Sequence, residues 1–145
     1  IAGWPVHTSV KNSREIIRTV FAAPNTFAVA ERETGKVIGS AGFTGRSRVE
    51  FPAPNDELGY ALSPAFWGRG LMPEAAEELL RYGFEEMGLA AVWCSHYVEN
   101  DQSRRVIEKC GFVRQFDEDV LDEPTGAQRP ARFYLLTREL WRSRQ

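Results

Sequence analysis

The spacing of apolar and polar residues divides most of the chain into short strands and amphipathic helices. Apolar runs at residues 26–32, 37–44, 57–62 and 92–98 are short and bounded by Gly, Pro or Asn, which predicts strands. The first three follow one another through short connections, as in an antiparallel meander. Between the third and the fourth, apolar residues recur at helical spacing across residues 74–87, and acidic side chains occupy the remaining positions. The expected result is a mixed α/β domain.

Both ends of the chain can be interpreted in the same way. At residues 11–23, apolar side chains fall on one side of a helix, which predicts an amphipathic helix before the first strand. Residues 101–110 predict another helix, ended by a glycine. Phe112 to Phe116 and Arg132 to Thr137 predict two closing strands. We expect the acidic stretch between them, Asp117 to Pro130, to be a long loop that is either a lip of the substrate site or a mobile segment.

The connection between the third strand and the following helix has the composition of an anion site. Gly68 and Gly70 precede the helix, and Pro73 suits its start. Backbone amides at a helix N-terminus favour a phosphate. A Walker loop would need Gly-Lys-Ser/Thr, and a dinucleotide fingerprint would need a third glycine where Pro73 stands. A phosphate-bearing ligand at residues 68–72 is the leading hypothesis, and a plain strand-to-helix turn is the alternative.

Composition narrows the class of protein. At 145 residues, with 43% hydrophobic and 12% aromatic residues, the chain fits one globular domain, residues 1–145. A net charge of −2 with interspersed signs argues against a nucleic-acid partner, and the sequence lacks an apolar run approaching the ~20 residues of a membrane helix. Cys94 and Cys110 predict buried free thiols and a reducing, cytoplasmic setting.

Two segments together carry a family resemblance. Trp67-Gly68-Arg69-Gly70-Leu71-Met72 occupies the position of a glycine-containing pyrophosphate loop, and a second segment starts Asn100-x-x-Ser103 and ends Gly111-Phe112. Together they resemble the GNAT superfamily of acetyl-CoA-dependent N-acetyltransferases, over about residues 26 to 137. Trp67 and Met72 depart from the usual Arg/Gln and small residue of the loop. Both departures, and the second segment, are similar to the ribosomal-protein N-terminal acetyltransferase branch.

The resemblance implies an α/β (α+β) GNAT fold. Its mixed central sheet is largely antiparallel, splayed between two adjacent parallel strands, here 57–62 and 92–98, and flanked by helices. Family members have a first strand and a first helix before the position of Trp4, and we expect this chain, which opens at Ile1, to lack them. We therefore expect a single N-acetyltransferase domain that is truncated, processed or divergent at its N-terminus.

The resemblance also implies the cofactor site. Acetyl-CoA would serve as the acyl-donor cosubstrate, with no metal. Exposed arginines usually meet water, so Arg104 and Arg105 are weaker candidates for a phosphate contact. The cofactor-binding residues are expected to be Ala61, Leu62, Gly68, Arg69, Gly70, Leu71, Met72, Asn100 and Ser103.

Catalytic candidates follow from the chemistry of acetyl transfer. A general base must remove a proton from the amine, and the resemblance favours Glu57, with Asp56 as its rival. A hydroxyl near the departing thiolate would help it leave. Many family members use a tyrosine at the position of Ile107, so Ser103 is the substitute donor, and first-turn hydrogen bonding is its alternative role. Asn100 also fits a helix N-cap.

The acceptor is expected to be a protein N-terminal α-amine or a small-molecule amine, attacking directly in a ternary complex. Trp4 and His7 precede the predicted first helix, where the family lines its acceptor pocket, and are the expected substrate contacts. A homodimer is compatible with the resemblance. Two alternatives stay open: a non-catalytic acyl-CoA-binding or regulatory module of the same fold, and an unrelated α/β interaction domain.

Overall fold

The computed structural model describes residues 16–20, 25–122 and 124–145. The strands in these ranges are β1 (Ile16–Val20), β2 (Thr26–Glu31), β3 (Val37–Phe43), β4 (Asn55–Leu62), β5 (Ala91–Tyr97), β6 (Val113–Asp122) and β7 (Ala127–Thr137). They form one sheet in the order β1-β2-β3-β4-β5-β7-β6. Neighbouring strands are antiparallel except β4 and β5, which are parallel. The predicted fold class, a largely antiparallel mixed sheet with one parallel pair, is confirmed.

Three helices accompany the described part of the sheet: α1 (Leu71–Arg81), α2 (Asp101–Lys109) and α3 (Arg138–Ser143). A single 3₁₀ turn at Pro64–Phe66 links β4 to the loop before α1. After its last residue, α1 continues as a π-helical turn, Tyr82–Glu86. The helical segment then stops close to the predicted residue, because Gly88 takes the left-handed conformation that ends helices, with φ of 72°.

The hydrophobic core lies between these helices and one face of the sheet. Leu79 and Leu80 of α1 belong to the same buried cluster as Leu136 of β7. Phe84, from the π-helical turn, packs its ring 5.1 Å from that of Trp141 in α3. Each such large side chain contributes about 1.5–3 kcal/mol of burial free energy. Because the sheet and α3 both pack against this helical segment, the N-terminal end of α1 is held in place beside β4.

One member of the acidic run in α1 departs from its predicted solvated position. Glu78 is 7% exposed. Its carboxylate is 2.9 Å from the guanidinium of Arg81, three residues along the same helix. A buried carboxylate is tolerated when a cation and hydrogen bonds accompany it, and the helical spacing supplies both here.

The predicted amphipathic helix over residues 11–23 is wrong in its described part, which is strand β1. Its backbone pairs antiparallel with β2, from Ile16 opposite Glu31 to Val20 opposite Phe27. Four of the five β1 residues are β-branched, and such residues lose side-chain freedom in a helix but fit a pleated sheet. The apolar spacing suited both structures, and pairing with β2 selected the strand.

The predicted loop at residues 117–130 is also wrong, since most of it belongs to the long hairpin of β6 and β7. Charged side chains pair across the two strands. The carboxylate of Asp117 lies 3.0 Å from the guanidinium of Arg132, and Asp122 lies 3.3 Å from Arg129. Opposite charges facing each other stabilise antiparallel strands. The acidic residues are therefore one side of a cross-strand charge ladder rather than a loop.

Candidate active site

The sheet opens between its parallel strands. Among the described residues, β4 and β5 are paired at three positions, which are Asn55 opposite Ala91, Asp56 opposite Val92, and Glu57 opposite Trp93. Beyond that point β4 stays paired with β3 as far as Leu62, and β5 stays paired with β7 as far as Tyr97. The two strands therefore enclose a V-shaped gap whose closed end is at Glu57.

Backbone groups of β4 point alternately to β3 and into this gap. The Glu57 carbonyl and the Ser63 N–H both bond to the β3 side. Because successive strand residues direct their backbone groups to opposite neighbours, Tyr60 and Leu62 direct theirs into the gap. The Ala61 amide thus points to β3. Of the two amides named from the resemblance, the Leu62 amide is the one on the gap side.

The glycine loop connects the wide end of the gap to α1. Gly68 and Gly70 have φ of 78° and 74°, the left-handed region that favours glycine. Arg69 between them points away, because its guanidinium pairs with Glu31 at 3.2 Å and lies 5.3 Å from the Phe66 ring centre. The loop therefore presents main-chain atoms, and α1 begins at the residue after Gly70 with its positive dipole end facing outward.

A groove runs from the gap to this loop, between the end of β4 and α2. It comprises two cavities of about 250 Å³ and 220 Å³ that share the side chains of Leu62, Met72, Gln102 and Val106. The first cavity is additionally lined by Tyr60, Ala61, Trp67, Asn100 and Ser103. The second is additionally lined by Phe66, Gly68, Gly70, Leu71, Pro73, Arg105 and Lys109. Apart from Arg69, every residue predicted to bind the cofactor lines this groove.

Two cations from α2 face the loop half of the groove. Arg105 and Lys109 line the second cavity, where the glycine loop also lies. Arg104 is engaged instead with its own helix, through Asp101 at 3.4 Å and Glu108 at 3.0 Å. The positive helix end and these two side chains together make this half of the groove suitable for phosphate groups.

The other half of the groove contains a cluster of hydroxyl groups. Asn100 caps α2, because its side-chain oxygen accepts from the Ser103 N–H at 3.0 Å. The Ser103 hydroxyl is 2.7 Å from the Tyr60 hydroxyl. Burial raises the pKa of the Tyr60 phenol above its usual range, which keeps it protonated. Ile107 is buried in the core, 1% exposed.

Glu57 lies on the other face of the sheet. Side chains alternate along a strand, so Glu57 points away from the face on which Leu58 packs in the core and Tyr60 lines the groove. Burial raises the pKa of the Glu57 carboxyl, and the nearby Arg46 guanidinium and the Thr44 hydroxyl partly oppose that shift. The Glu57 carboxylate is 3.7 Å from Arg46 and accepts from the Thr44 hydroxyl at 3.4 Å.

The rival carboxylate, Asp56, is held by the backbone. One of its oxygens accepts hydrogen bonds from the Gly45 N–H at 2.9 Å and from the Glu57 N–H at 2.7 Å. The bond from Gly45 fixes the Asp56 side chain to the loop after β3. At the closed end of the gap, Asp56 is thus held by backbone amides, whereas Glu57 is held by the side chains of Arg46 and Thr44.

Some residues of the groove were not predicted from the sequence, and two predicted residues lie outside the described part of the chain. Tyr60 is not among the predicted site residues, but its side chain lines the groove, as its place on the same strand face as Leu62 could have indicated. Trp67 donates its indole N–H to the Leu62 carbonyl at 2.9 Å and so covers a backbone group at the gap. The expected substrate contacts Trp4 and His7 lie outside the described residues.

Other reactive side chains are enclosed by the core. Both cysteines are free and buried, as predicted, and burial raises the pKa of Cys110 to about 12 and that of Cys94 still further. His96 is 5% exposed, with Nε2 3.0 Å from the Tyr134 hydroxyl and Nδ1 2.6 Å from the Tyr97 carbonyl oxygen. These partners leave neither the thiols nor the imidazole available to a substrate in the groove.

A larger cleft of about 620 Å³ lies between α1 and α3 and shares no lining residue with the groove. Four glutamates and two arginines line it, and of these Arg81 contacts Glu78 and Glu85. Within the described part of the chain, no three His, Cys, Asp or Glu side chains come together as a metal site. None of the helices described there has the length and apolarity to cross a membrane.

Comparison with known proteins agrees with this geometry. A family model described as an acetyltransferase (GNAT) domain matches residues 2–113. An FsC-acetyl coenzyme A-N(2)-transacetylase from Aspergillus fumigatus is 39% identical over 93 residues, which are 63% of this chain and 40% of that protein. This chain thus spans about two fifths of the length of that relative.

Solved structures share the fold. The acetyltransferase (GNAT family) from Bacillus anthracis superposes with a TM-score of 0.68 at 26% identity, covering 79% of this chain and 67% of that one. A ribosomal-protein-S5-alanine acetyltransferase from Vibrio fischeri superposes with a TM-score of 0.70 at 20% identity, covering 91% of this chain and 67% of that one. The family resemblance inferred from the two motifs is therefore confirmed, and the chain belongs to the GNAT acetyltransferase domain family.

Proposed function

We propose that this chain is the catalytic domain of an acetyl-CoA-dependent N-acetyltransferase. It would transfer an acetyl group to a primary amine by direct attack in a ternary complex. The single observation that carries the proposal is the gap between β4 and β5. On one face of the sheet, the gap leads to a groove that suits phosphates and an extended apolar arm. On the other face, it leads to the desolvated carboxylate of Glu57.

Donor binding is supported by the groove. The amides of residues 68–72 and the N-terminus of α1 would hold the diphosphate, with Arg105 and Lys109 as flanking cations. The gap is an unpaired strand edge, and an amide-containing arm can bond to such an edge as an added strand does. The Tyr60 backbone groups would bond this arm, and the Leu62 N–H, whose neighbouring carbonyl is taken by the Trp67 indole, would polarise the thioester carbonyl.

The amine would approach from the opposite face, at Glu57. Ordinary carboxylates are weak bases at neutral pH, and a raised pKa brings Glu57 closer to the range in which proton transfer is efficient. Arg46 and Thr44 hold one of its oxygens, so the other can accept the amine proton directly or through a water molecule. Ser103, on the donor side, would hydrogen-bond the departing sulfur.

An α-amine is the acceptor class that demands least of this site. At pH 7 a lysine amine with pKa ~10.4 costs about 4.6 kcal/mol to deprotonate, whereas an α-amine near ~7.8 costs about 1 kcal/mol. A single carboxylate acting as the general base suits the smaller deprotonation cost of an α-amine. The acceptor is accordingly a protein N-terminus or a small molecule carrying an α-amine, and the relative named as an N(2)-transacetylase supports an amine acceptor.

A non-catalytic acyl-CoA-binding module is the second candidate function. It is supported by Ile107, which fills the position where many family members carry a tyrosine. Such a module would bind acetyl-CoA through the same groove but would release thiol no faster than background hydrolysis.

One experiment separates the candidates. Calorimetric titration with acetyl-CoA and with CoA measures binding, and thiol release is then followed with a panel of peptides with free N-termini, N-blocked lysine peptides and polyamines. We expect micromolar binding of both nucleotides and turnover with at least one α-amine. Binding without turnover on any amine favours the module, and no binding to the purified chain refutes both.

The pH dependence provides a second readout. The Glu57→Gln variant should bind acetyl-CoA normally and lose about 10²-fold or more in kcat/KM at neutral pH, with partial recovery at alkaline pH as more of the amine becomes neutral. A variant with unchanged rates across pH would remove Glu57 as the base.

A further inference from the structure

The side chain of Tyr60 reaches from β4 across the groove to the first turn of α2. Its hydroxyl oxygen is 2.7 Å from the Ser103 hydroxyl and 3.1 Å from the Ser103 carbonyl oxygen, so its one hydrogen has two acceptors on the same residue, of which the hydroxyl is the nearer. Both side chains line the same cavity, next to the gap. A contact of 2.7 Å between two hydroxyls is at the most favourable O–H···O distance, so the pair is a well-formed hydrogen bond.

The protons of this pair determine what Ser103 can do. Each hydroxyl carries one hydrogen. If Ser103 donates to Tyr60, its hydrogen is used inside the pair and points away from the substrate. If Tyr60 donates to the Ser103 hydroxyl oxygen, Oγ, the Ser103 hydroxyl hydrogen is free to point into the cavity. The phenol is the stronger acid of the two and hence the better donor, and burial keeps its proton in place.

We propose that Tyr60 is a positioning residue for the leaving thiolate, because it donates to Ser103 Oγ and so turns the Ser103 O–H toward the sulfur. This inference rests on the proposed function. A hydrogen bond received by a hydroxyl also strengthens the one that it donates. The Tyr60 hydroxyl thereby improves Ser103 as a donor without itself contacting the sulfur.

The step is balanced as follows. The amine nitrogen forms a bond to the acetyl carbon, and the carbon–sulfur bond breaks with its electron pair going to sulfur. The proton lost by the nitrogen goes to Glu57. The CoA thiolate leaves while it accepts a hydrogen bond from Ser103, and it takes a proton from water after release. Ser103 and Tyr60 keep their protons throughout.

The test is a double-mutant cycle with Tyr60→Phe, Ser103→Ala and the combined variant, in the whole chain. Tyr82→Phe is the matched control, because Tyr82 also donates a hydrogen bond, to Asn25 at 2.8 Å, but lines neither cavity of the groove. Thiol release gives kcat and the KM for acetyl-CoA, and thermal melting checks the fold of each variant.

We expect Tyr60→Phe to lower kcat about fivefold to tenfold, the effect of one well-placed hydrogen bond, with KM changed less than twofold. The combined variant should be no slower than Ser103→Ala, because Tyr60 acts through Ser103. Tyr82→Phe should keep the wild-type kcat. The proposal is overturned if Tyr60→Phe retains wild-type kcat or if the two single effects multiply in the combined variant.

These outcomes also separate this proposal from the proposed function. A wild-type chain that binds acetyl-CoA but acetylates no amine overturns both. An active wild type with an unaffected Tyr60→Phe variant overturns the role of Tyr60 alone.

Discussion

A carboxylate introduced at Gly70 should repel the donor from its groove, whereas the same change at Gly88 should not. Both glycines have left-handed backbone, with φ of 74° and 72°, and a Cβ at either position meets nothing within 4 Å. Gly70→Glu and Gly88→Glu therefore carry the same strain, about 1–2 kcal/mol, and the same charge. They differ in location, because one precedes α1 and the other ends the helical segment.

The electrostatic magnitudes follow from this separation. Seventeen residues, 71–87, separate the two positions, about 25 Å at ~1.5 Å per residue of helix. Beside Gly70, a unit charge about 4 Å from a phosphate costs about 1 kcal/mol in water and about 4 kcal/mol at a protein surface. That range corresponds to a loss of about fivefold to a thousandfold in affinity. At about 25 Å, beyond two Debye lengths at ~0.15 M salt, the effect of Gly88→Glu should fall below twofold.

The assay is calorimetric titration with CoA, which measures binding without turnover, at ~0.05 M and ~0.5 M salt. Higher salt should restore part of the affinity of Gly70→Glu, because it screens the Coulombic repulsion between the introduced carboxylate and the phosphate. Thermal melting without ligand checks that both variants fold and lose similar stability. The assignment of the loop fails if folded Gly70→Glu keeps wild-type affinity at low salt, or if Gly88→Glu loses as much.

Three further predictions test the sheet and its buried groups. The pKa of Glu57 is raised in the folded protein, so the contribution of this carboxyl to stability is present below its unfolded pKa and is lost as pH rises through its folded pKa. The Glu57→Gln variant should therefore melt above wild type at pH 7 and match it near pH 4. Gly39→Ala should destabilise by at least about 1–3 kcal/mol in urea unfolding, since its Cβ would lie 2.2 Å from the Ala61 carbonyl oxygen; unchanged stability would contradict that contact. Cys94 and Cys110 should resist a thiol reagent in the native protein and react in ~6 M guanidinium, and rapid native labelling would contradict their burial.

Segments were predicted correctly from the sequence where the local residue pattern and the tertiary contacts favour the same structure. α2 is an example, with Asn100 as an N-cap and Gly111 at a left-handed position with φ of 87° just after its end. The glycine loop was predicted for the same reason, whereas the parallel pair of strands came from the family resemblance. β1 was missed because the spacing of Ile16, Ile17 and Val20 fits a helix stripe as well as a strand, and pairing with β2 decided between them.

The site itself needed information that spacing does not contain. Asp56 and Glu57 are adjacent acids of similar type, and contacts with the loop after β3 distinguish them, since Gly45 donates to Asp56 whereas Thr44 and Arg46 contact Glu57. The contact between Tyr60 and Ser103 joins residues 43 positions apart, so neither local pattern could reveal it. The acidic β6 residues were mistaken for a loop because their arginine partners lie on β7.

The chemistry depends on the register of β4 more than on any one side chain. Glu57 and Tyr60 are three positions apart, an odd number, so the pleat directs them to opposite faces and keeps the proposed base away from the proposed leaving-group side. A one-residue slip against β3 would exchange the faces and bury the carboxylate. Phe43 opposite Leu58 and Gly39 opposite Leu62 fix that register, and a Cβ at Gly39 would collide with the β4 backbone. Gly39, which lines neither cavity of the groove, is therefore as necessary to the two-sided site as the residues that do.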